Sequence, residues 1–436
     1  MFERAVIVGT GAGGAAVAKE LQGKFLVTIL EEGGVFHPSS KILSMMEILK
    51  KTGIFFSEKQ IRMACPIMKI RKTKPDKLVF INGTGIGGTT TISAGCAMRM
   101  DEDLVRLGIN LDPEFEKIYN EIPVHTSHTE RWNKNTRELF DISNEMELAP
   151  EPVPHMTRDI LCMDCGQCTL GCPRRSLWDS RQYLRDALDS GAKLVNYAHV
   201  EKIIIKDNKA TGVQARIGWS SEVYPADLVI VSAGALNTPV ILQNSGIECE
   251  PRLFANPITC VAAHKPNSHQ DKEIPIPFII RRNDWIIAPY FDHISYFFNS
   301  AWKYPAKDIV SLMVKVLDMS EGTVINTGGK TIEKTLMAQD KKRLADGIKL
   351  SKEILAKMGI EKDNIFTGTL MSWVQAGSFP LTEKTAKTFH HEKLPDNVYV
   401  ADASLLPASA EKFPILTIIA LAKRIAHICK ENFGNT

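Results

Sequence analysis

Four cysteines lie within eleven residues near the middle of the chain. Cys162, Cys165, Cys168 and Cys172, with Pro173 directly after the last, have the spacing C-x2-C-x2-C-x3-C-P. Bacterial ferredoxins bind [4Fe–4S] clusters with this run of cysteines. Structural zinc sites more often use two separated C-x2-C pairs. We therefore predict a [4Fe–4S] cluster on these four cysteines, with structural zinc and incidental clustering as the alternatives.

The fourth ligand of this cluster is open at the level of sequence. In two-cluster ferredoxins the last cysteine of such a run serves the other cluster. The fourth thiolate therefore comes either from Cys172 or from a distant residue such as Cys65, which precedes Pro66. A metal-type spacing favours a reducing compartment over disulfides, and we expect a cytoplasmic protein. The other cysteines lie in apolar stretches and are expected to be buried: Cys96, Cys249, Cys260 and Cys429.

A glycine motif near the N-terminus has the residue types of a dinucleotide site. Gly9, Gly11 and Gly14 form G-x-G-x-x-G after the apolar run 5–8 and at the start of a run of small residues. The first glycine allows a tight turn, the second lets a pyrophosphate approach, and the third lets a helix pack on a strand. Glu31 ends the next apolar run, where an acid accepts a hydrogen bond from a ribose hydroxyl. The motif predicts dinucleotide binding without distinguishing FAD from NAD.

Alternating strands and helices are expected to position these residues. Residues 5–8 and 25–30 flank the helix of the glycine motif, which indicates a βαβ unit with buried parallel strands. Residues 251–325 are strand-rich, aromatic and punctuated by prolines, and they predict a second sheet in a second domain. Residues 47–71 show no clean periodicity. Further helices are predicted at 114–122, 131–144, 181–190, 340–358 and 415–429, and further strands at 78–81, 194–196, 200–205, 211–217, 228–231 and 398–400.

Composition excludes several classes of protein. The chain has 436 residues, of which 44% are hydrophobic and 24% charged, so it is neither disordered nor a small disulfide scaffold. Its net charge of +3 does not provide the basic footprint of a nucleic-acid-binding protein. The apolar stretch 413–422 is too short to span a bilayer, so we expect no transmembrane segment.

Three further segments resemble the glucose–methanol–choline (GMC) family of FAD-dependent oxidoreductases. Residues 85–92, GIGGTTTI, are similar to the first family signature, and residues 232–239, SAGALNTP, are similar to the second. Residues 398–407, VYVADASLLP, resemble the C-terminal flavin segment, and Glu31 to Gly33 fit an acid-x-Gly after the second strand. The match covers both ends and the middle of the chain, whereas residues 251–370 match only loosely. Some members of this family carry a similar cysteine-rich run.

The resemblance implies an α/β fold. We expect a Rossmann-like FAD-binding domain assembled from discontinuous segments, a smaller α+β substrate domain, and a Cys-rich cluster insertion. The expected boundaries are 1–150, 181–250 and 371–436 for the FAD-binding parts, 151–180 for the iron–sulfur segment and 251–370 for the substrate domain. The residues expected to bind FAD are Gly9, Gly11, Gly14, Glu31, Gly33, Gly85, Gly87, Gly88, Thr89, Ala233, Asp402, Ala403 and Thr417.

The chain departs from the family at its catalytic positions. The alignment places Val374 at the family's catalytic histidine, or Trp373 if shifted by one residue, and Phe413 at the second catalytic position, a His or Asn before proline. Neither Val374 nor Phe413 can accept a proton, so the usual base for alcohol oxidation is missing. His390 and His391 are the nearest histidines in sequence, and we expect them to lie in a solvated loop.

These expectations combine into one prediction of function. We expect an FAD-dependent dehydrogenase or reductase that passes electrons between FAD and an external carrier through the [4Fe–4S] cluster. The default reaction is on a CH–OH donor, and oxidase activity with O2 is not expected. The alternatives are an electron-transfer flavoprotein subunit without its own alcohol chemistry, and a reductase or desaturase of an apolar substrate. The expected partners are a small-molecule substrate and a one-electron carrier such as a ferredoxin or a partner redox subunit.

Overall fold

Strands and helices alternate at both ends of the chain, and strands dominate the middle. The computed structural model describes residues 3–39, 41–52, 56–76, 78–326, 330–410 and 412–433. In this part of the chain the α-helices are α1 Ala12–Glu20, α2 Ile42–Lys50, α3 Glu58–Ala64, α4 Glu102–Arg106, α5 Asp112–Glu121, α6 Lys134–Glu145, α7 Arg181–Asp189, α8 Thr238–Asn244, α9 His293–Phe298, α10 Ala338–Lys357 and α11 Ile415–Phe433.

The strands group into four sheets. One is parallel and holds the N-terminal strands, one is large and mostly antiparallel, and two have three strands each. The strands are β1 Glu3–Val8, β2 Phe25–Glu31, β3 Met68–Lys72, β4 Lys74–Pro75, β5 Val79–Gly83, β6 Glu151–Pro152, β7 Lys193–Asn196, β8 Ala198–Lys206, β9 Lys209–Ile217, β10 Ser220–Pro225, β11 Leu228–Val231, β12 Ile258–His264, β13 Phe278–Arg282, β14 Trp285–Pro289, β15 Ile309–Val316, β16 Gly322–Asn326, β17 Lys330–Lys334, β18 Ile365–Thr367, β19 Met371–Ser372 and β20 Val398–Val400.

The parallel sheet has the strand order β20-β11-β1-β2-β7. Its central strands are continuous apolar runs, and residues 5–8 and 228–231 are buried because both faces of the sheet are covered. The α1 helix packs against α7 and α11. The strands come from the beginning, the middle and the end of the chain. The α/β class is therefore confirmed, and this sheet is assembled from discontinuous segments.

The large sheet has the order β3-β5-β19-β12-β15-β14-β13-β6, with β18 also paired to β12. All eight residues of β15 are buried, because one face carries an aromatic core and α10 covers the other. Strands β3, β5 and β19 belong to this sheet. The boundaries predicted from the sequence place their residues, 68–83 and 371–372, in the FAD-binding parts. The domain boundaries themselves remain predictions.

Two local features differ from the sequence expectations. Residues 293–298 form α9 instead of continuing a strand, because the Asp292 carboxylate caps the helix and accepts hydrogen bonds from the backbone amides of Ile294 (3.0 Å) and Ser295 (3.1 Å). Within residues 47–71, α3 follows a capping box in which the Ser57 amide donates to Gln60 Oε1 at 2.7 Å. That S-x-x-Q signal was present in the sequence.

The preceding α2 helix escaped sequence analysis for a different reason. It exposes apolar residues such as Met45 and Ile48 while it buries Leu43 and Met46, so its two faces do not contrast. Across the ranges that the structure describes, we find no helix with both the length and the apolar character needed to cross a membrane.

Candidate functional site

The glycine motif forms the turn between β1 and α1, and its three glycines have different tasks. Gly9 has a φ of +99°, and a β-carbon there would lie 2.4 Å from the backbone oxygen of Ser232. A β-carbon on Gly14 would lie 2.1 Å from the backbone oxygen of Gly9. Gly11 has ordinary extended φ and ψ angles, and a β-carbon there would meet nothing within 4 Å. Gly9 and Gly14 therefore permit close packing, whereas Gly11 leaves open space in front of the helix N-terminus.

That open space belongs to a cavity of about 630 Å³. The cavity runs from the carboxyl ends of the parallel strands, where open α/β sheets bind ligands, to the large sheet, which contributes Ile258 and Met313. The structure brings together eight of the residues predicted to bind FAD on its wall: Gly9, Gly11, Glu31, Gly88, Thr89, Ala233, Asp402 and Ala403.

The other five predicted residues lie behind this wall. The Gly33 amide donates to Glu31 Oε1 at 3.0 Å, and the Thr417 hydroxyl donates to the backbone oxygen of Met100 at 2.7 Å. These contacts hold the wall in place without reaching the cavity. The five residues are Gly14, Gly33, Gly85, Gly87 and Thr417.

Glu31 links the two glycine loops at one end of the cavity. The side chain is 5% exposed, and its Oε2 accepts hydrogen bonds from the Thr10 amide (3.1 Å) and the Thr10 hydroxyl (2.6 Å). Burial raises the pKa of Glu31, and these hydrogen bonds oppose the rise. Gly87 in turn donates its amide to the Thr10 hydroxyl at 3.0 Å. Sequence analysis missed Thr10, because it occupies a position that the G-x-G-x-x-G pattern leaves free.

Asp402 has a corresponding role on the other side of the cavity. Its Oδ2 accepts hydrogen bonds from the Gly234 amide (2.8 Å) and the Thr238 hydroxyl (2.5 Å), and its Oδ1 accepts one from the Ser404 amide (2.8 Å). Burial raises the pKa of Asp402, and the hydrogen bonds oppose this rise. The carboxylate therefore ties the segment after β11 to the segment after β20, both of which line the cavity.

The two expected catalytic positions also face this cavity. Val374 and Phe413 line it together with Trp373. None of these three side chains has a group that could accept a proton from a substrate. Among the described residues on the wall, the one histidine is His199. Its Nδ1 lies 3.5 Å from Glu32 Oε1, at the Glu31 end of the cavity.

The two histidines nearest in sequence to these positions lie elsewhere. His390 Nε2 is 3.0 Å from the backbone oxygen of Pro395, and the His391 ring packs on Phe379 with a centroid distance of 4.5 Å. Neither residue belongs to the wall of the cavity. Their contacts are those of a folded surface segment.

The four cysteines of the ferredoxin-like run line a second, smaller cavity. Each side chain is partly buried, and burial together with the other three cysteines raises the pKa of Cys168. A β-carbon on Gly166, where φ is +66°, would lie 1.9 Å from the backbone oxygen of Asp271, so the tight bend requires glycine. The cysteines that share this cavity are Cys162, Cys165, Cys168 and Cys172.

Cys65, the alternative fourth ligand, is placed differently. It is buried beside the cysteine segment, with its Sγ 3.9 Å from the backbone oxygen of Leu170, but it does not line the cysteine cavity. Within the described ranges, no three His, Cys, Asp or Glu side chains are arranged as ligands of one metal ion. The structure thus brings Cys172, and not Cys65, to the other three thiols without forming a single-ion site.

One stretch of chain separates the two cavities. Cys168 lines the cysteine cavity, and the next residue, Thr169, lines the main cavity. The Thr169 hydroxyl oxygen lies 3.2 Å from His293 Nδ1. Sequence analysis did not single out Thr169, since a threonine between two cysteines of the run carries no signal of its own.

Comparison with known proteins identifies the family of this architecture. The model of the GMC oxidoreductase family matches residues 5–260. An uncharacterized GMC-type oxidoreductase of Mycobacterium tuberculosis is 31% identical over 271 residues, which cover 58% of this chain and 40% of that protein. An uncharacterized protein of Methanocaldococcus jannaschii is 24% identical over 432 residues, covering 96% of this chain and 97% of its own. A long-chain-alcohol oxidase of Arabidopsis thaliana is 24% identical over 274 residues, covering 56% and 34%.

These alignments differ in how much of each relative they include. The match to this chain covers well under half the length of the mycobacterial and plant relatives. Among solved structures, pyridoxine 4-oxidase from Mesorbium loti superposes with a TM-score of 0.71 over 97% of this chain and 98% of its own, at 14% identity, and so shares the fold. Because the family model covers more than half of the chain, this protein belongs to the GMC oxidoreductases, a family that binds FAD.

Proposed function

We propose that this protein is an FAD-dependent dehydrogenase or reductase that exchanges electrons with an external one-electron carrier through a [4Fe–4S] cluster. The observation that carries the proposal is the position of the cysteine segment. Cys168 faces the cysteine cavity and Thr169 faces the main cavity, so a cluster and a flavin would be separated by one stretch of backbone. That arrangement suits electron transfer between two cofactors in one chain.

The residues of the main cavity fit FAD. Gly11 leaves space for a pyrophosphate at the N-terminus of α1, where free amides and the helix dipole favour an anion. Glu31 Oε1 accepts one hydrogen bond, from the Gly33 amide, and so retains a lone pair that can accept a hydrogen bond from a ribose hydroxyl. A β-carbon added to Gly88 would lie 3.0 Å from the Gly11 Cα, so the two glycine loops pack closely beside the same cavity.

The residues of the cysteine cavity fit an iron–sulfur cluster. Thiolates are the ligands that [4Fe–4S] clusters use, and Cys162, Cys165, Cys168 and Cys172 supply four of them to one cavity. A structural zinc ion would need the same sulfurs to converge at about 2.3 Å from one point. A cluster instead attaches its thiolates to different iron atoms, so the sulfurs stand farther apart. We therefore favour the cluster and keep zinc as the alternative outcome.

When bound, FAD would exchange two electrons with a substrate, and the cluster would exchange them one at a time with the carrier. Oxidation of a CH–OH donor releases two electrons and two protons and leaves a carbonyl. One of those protons needs a base, and neither Val374 nor Phe413 provides one. Several GMC relatives are named oxidases, such as the plant long-chain-alcohol oxidase. We propose a carrier-linked enzyme here, because the cysteine segment offers electrons a route other than O2.

The apolar character of the main cavity favours a second candidate, a reductase or desaturase of an apolar substrate. The large-sheet end of the cavity is walled by Ile258, Ile276, Met313 and Phe413. Such a wall binds hydrocarbon well and offers a polyol few hydrogen-bond partners. Reduction of a double bond takes up a proton and so needs no base at the two lost catalytic positions, whereas desaturation would release a proton and would need a base elsewhere.

An anaerobic reductive titration of the purified protein tests the proposed function. With both cofactors present, we expect about three electron equivalents per chain, two at flavin wavelengths and one in the broad absorbance near 400 nm. Uptake of only two equivalents would contradict the cluster. Substrate-dependent bleaching of the flavin then distinguishes an enzyme from an electron-transfer subunit, which would be reduced only by its redox partner.

The outer side of the cysteine segment exposes apolar and basic side chains. Ile160 is 94% exposed and Met163 is 60% exposed, and the arginines Arg158, Arg174 and Arg175 are exposed around them. The nearby acids Asp159 and Asp164 are both paired with Arg131, at 3.2 and 3.3 Å. An apolar centre with a positive rim fits an acidic electron carrier, and we propose this surface as its binding site.

Reversing the charge of this rim should specifically weaken binding of the carrier. We expect Arg174→Glu/Arg175→Glu to lower kcat/KM for an acidic ferredoxin about tenfold or more at low salt and to flatten its salt dependence. Reduction by a small uncharged dye should be unchanged. The control is Lys206→Glu/Lys209→Glu, an equal charge change at exposed positions of the three-stranded sheet. Equal losses in both double variants would show that net charge, and not this surface, steers the carrier.

A further inference from the structure

We propose that Tyr290 is the proton donor of the main cavity, and that the substrate is an apolar compound whose carbon–carbon double bond is conjugated to a carbonyl group. This inference rests on the proposed FAD-dependent function and names the substrate class of the same cavity. It assigns the proton transfer to a residue that the family resemblance does not indicate.

Tyr290 is held rigidly in the cavity that Val374 and Phe413 also line. It follows β14 directly, its backbone amide donates to the Ser311 backbone oxygen at 3.2 Å, and its backbone oxygen accepts a hydrogen bond from the Ser311 hydroxyl. The residue is 4% exposed. The backbone of Tyr290 is therefore anchored to the large sheet, and the residue contributes a buried phenol to that side of the cavity.

The surroundings of the phenol keep its proton in place. Burial raises the pKa of Tyr290. The nearby groups Asp292, Cys260 and Cys96 raise it further, and a hydrogen bond with Thr169 opposes the rise. The Thr169 hydroxyl also meets His293, whose pKa is lowered to about 3 by burial, so this imidazole is neutral near pH 7. A protonated phenol donates a hydrogen bond or a proton but cannot serve as a base, which favours reduction over alcohol oxidation.

The remaining walls restrict the substrate. Ile258, Ile276 and Met313 line the cavity near the large sheet and offer no hydrogen bond. Gln375 is occupied at its amide nitrogen, which donates to the backbone oxygen and to the hydroxyl of Ser372, both at 2.9 Å. Tyr290 thus adds a hydroxyl donor to a part of the cavity in which Ile258, Ile276 and Met313 offer none. An apolar molecule with one accepting carbonyl oxygen matches this set of groups.

The chemistry balances as a two-electron, two-proton reduction. FAD, when bound and reduced, would supply two electrons and one proton for the β-carbon, and Tyr290 would give its proton to the carbonyl oxygen as the π bond breaks. The resulting enol takes a solvent proton at the α-carbon and loses its hydroxyl proton, leaving the saturated carbonyl compound. The phenolate recovers its proton from solvent. The two electrons come from two molecules of the reduced one-electron carrier.

Cinnamaldehyde and β-methylstyrene are suitable probes, because they share a carbon skeleton and differ in the carbonyl group. We would compare the wild-type holoprotein with Tyr290→Phe and with Tyr296→Phe, a buried tyrosine of the same domain that does not line the cavity. Isotope-edited infrared spectra of cinnamaldehyde bound to the oxidised protein report the hydrogen bond without turnover. Pre-steady-state reoxidation of the reduced protein by cinnamaldehyde reports the reaction.

We expect the bound carbonyl stretch to lie at lower frequency in wild type and in Tyr296→Phe, and to return towards its value in apolar solvent in Tyr290→Phe. The reoxidation rate should fall by about 10²–10⁴-fold in Tyr290→Phe alone, the usual contribution of a general acid, while β-methylstyrene binding stays the same. A carbonyl shift that persists in Tyr290→Phe, or failure of cinnamaldehyde to bind a flavin-loaded protein, would overturn the inference. The proposed function would fail differently, by absence of flavin or iron from the wild type.

Discussion

Replacing Cys165 with serine should abolish the proposed [4Fe–4S] cluster and leave FAD binding in place. Serine does not supply the thiolate that a [4Fe–4S] cluster needs, so we expect iron content to fall and the affinity of the site for its cluster to drop at least about 100-fold. The flavin residues Gly11 and Asp402 lie on the wall of the other cavity, and nothing in their contacts involves Cys165. Reduction by the external carrier should then be lost, while direct chemical reduction of the flavin persists.

The matched control is Cys249→Ser, a partly buried cysteine outside both cavities. This variant should keep wild-type iron, flavin and electron transfer. Iron and flavin are measured per chain on anaerobically purified samples, together with the rate of reduction by the carrier. Loss of FAD along with iron in Cys165→Ser would show that the two sites are not separable. An unchanged iron content in Cys165→Ser would show that Cys165 is not a ligand of the cluster.

Replacing Gly11 with valine should have the opposite effect, removing FAD from a protein that still folds. The backbone of Gly11 has an ordinary φ of −66°, and a β-carbon there meets no protein atom within 4 Å, so the fold tolerates a side chain. That side chain would occupy the space where the pyrophosphate must approach the helix N-terminus. We expect FAD affinity to fall about 100-fold or more, which corresponds to roughly 2.8 kcal/mol.

Gly13→Ala provides the contrast within the same helix. A β-carbon on Gly13 would lie 1.7 Å from the backbone oxygen of Ala401, so this smaller change should destabilise the protein itself. Thermal unfolding and flavin fluorescence separate the two outcomes. Gly11→Val should unfold near the wild-type apoprotein temperature with no bound flavin, and Gly13→Ala should unfold at a clearly lower temperature. Wild-type FAD affinity in Gly11→Val would place the pyrophosphate elsewhere.

The parallel sheet was predictable because its signals are local. Continuous apolar runs of four residues at 5–8 and 228–231 are typical of buried strands, and the glycine motif marks the turn that follows the first of them. The same holds for α7 and α11, whose residues repeat with helical periodicity. Ser57 to Gln60 also carried a local signal, the capping box of α3, which the lack of periodicity in residues 47–71 obscured.

Three polar residues of the site, Thr10, Thr169 and Tyr290, were not predictable, because their roles depend on partners far along the chain. Thr10 becomes part of the site through Glu31 and Gly87, 21 and 77 residues away. Tyr290 appeared only as one of several aromatic residues in a strand-rich segment, and Thr169 only as a spacer between cysteines. Tyr290 reaches the cavity from the end of β14 and Thr169 from the cysteine segment, and their pairing cannot be read from periodicity or spacing.

The missing base and the added cysteines are consistent with each other in chemical terms. An alcohol oxidase needs a group that accepts a proton beside the flavin, and here Val374 and Phe413 occupy those positions. A reductase supplied by a one-electron carrier needs a route for incoming electrons and a proton donor. In our proposal the cysteine segment supplies the route for electrons and Tyr290 supplies the proton.

Elemental and cofactor analysis of the anaerobically purified protein decides between the cluster and its alternative. Iron, acid-labile sulfide, zinc and flavin are measured per chain on one sample. We expect about four iron ions, four sulfide ions and one FAD per chain. One zinc ion per chain with neither iron nor sulfide would contradict the proposed electron route.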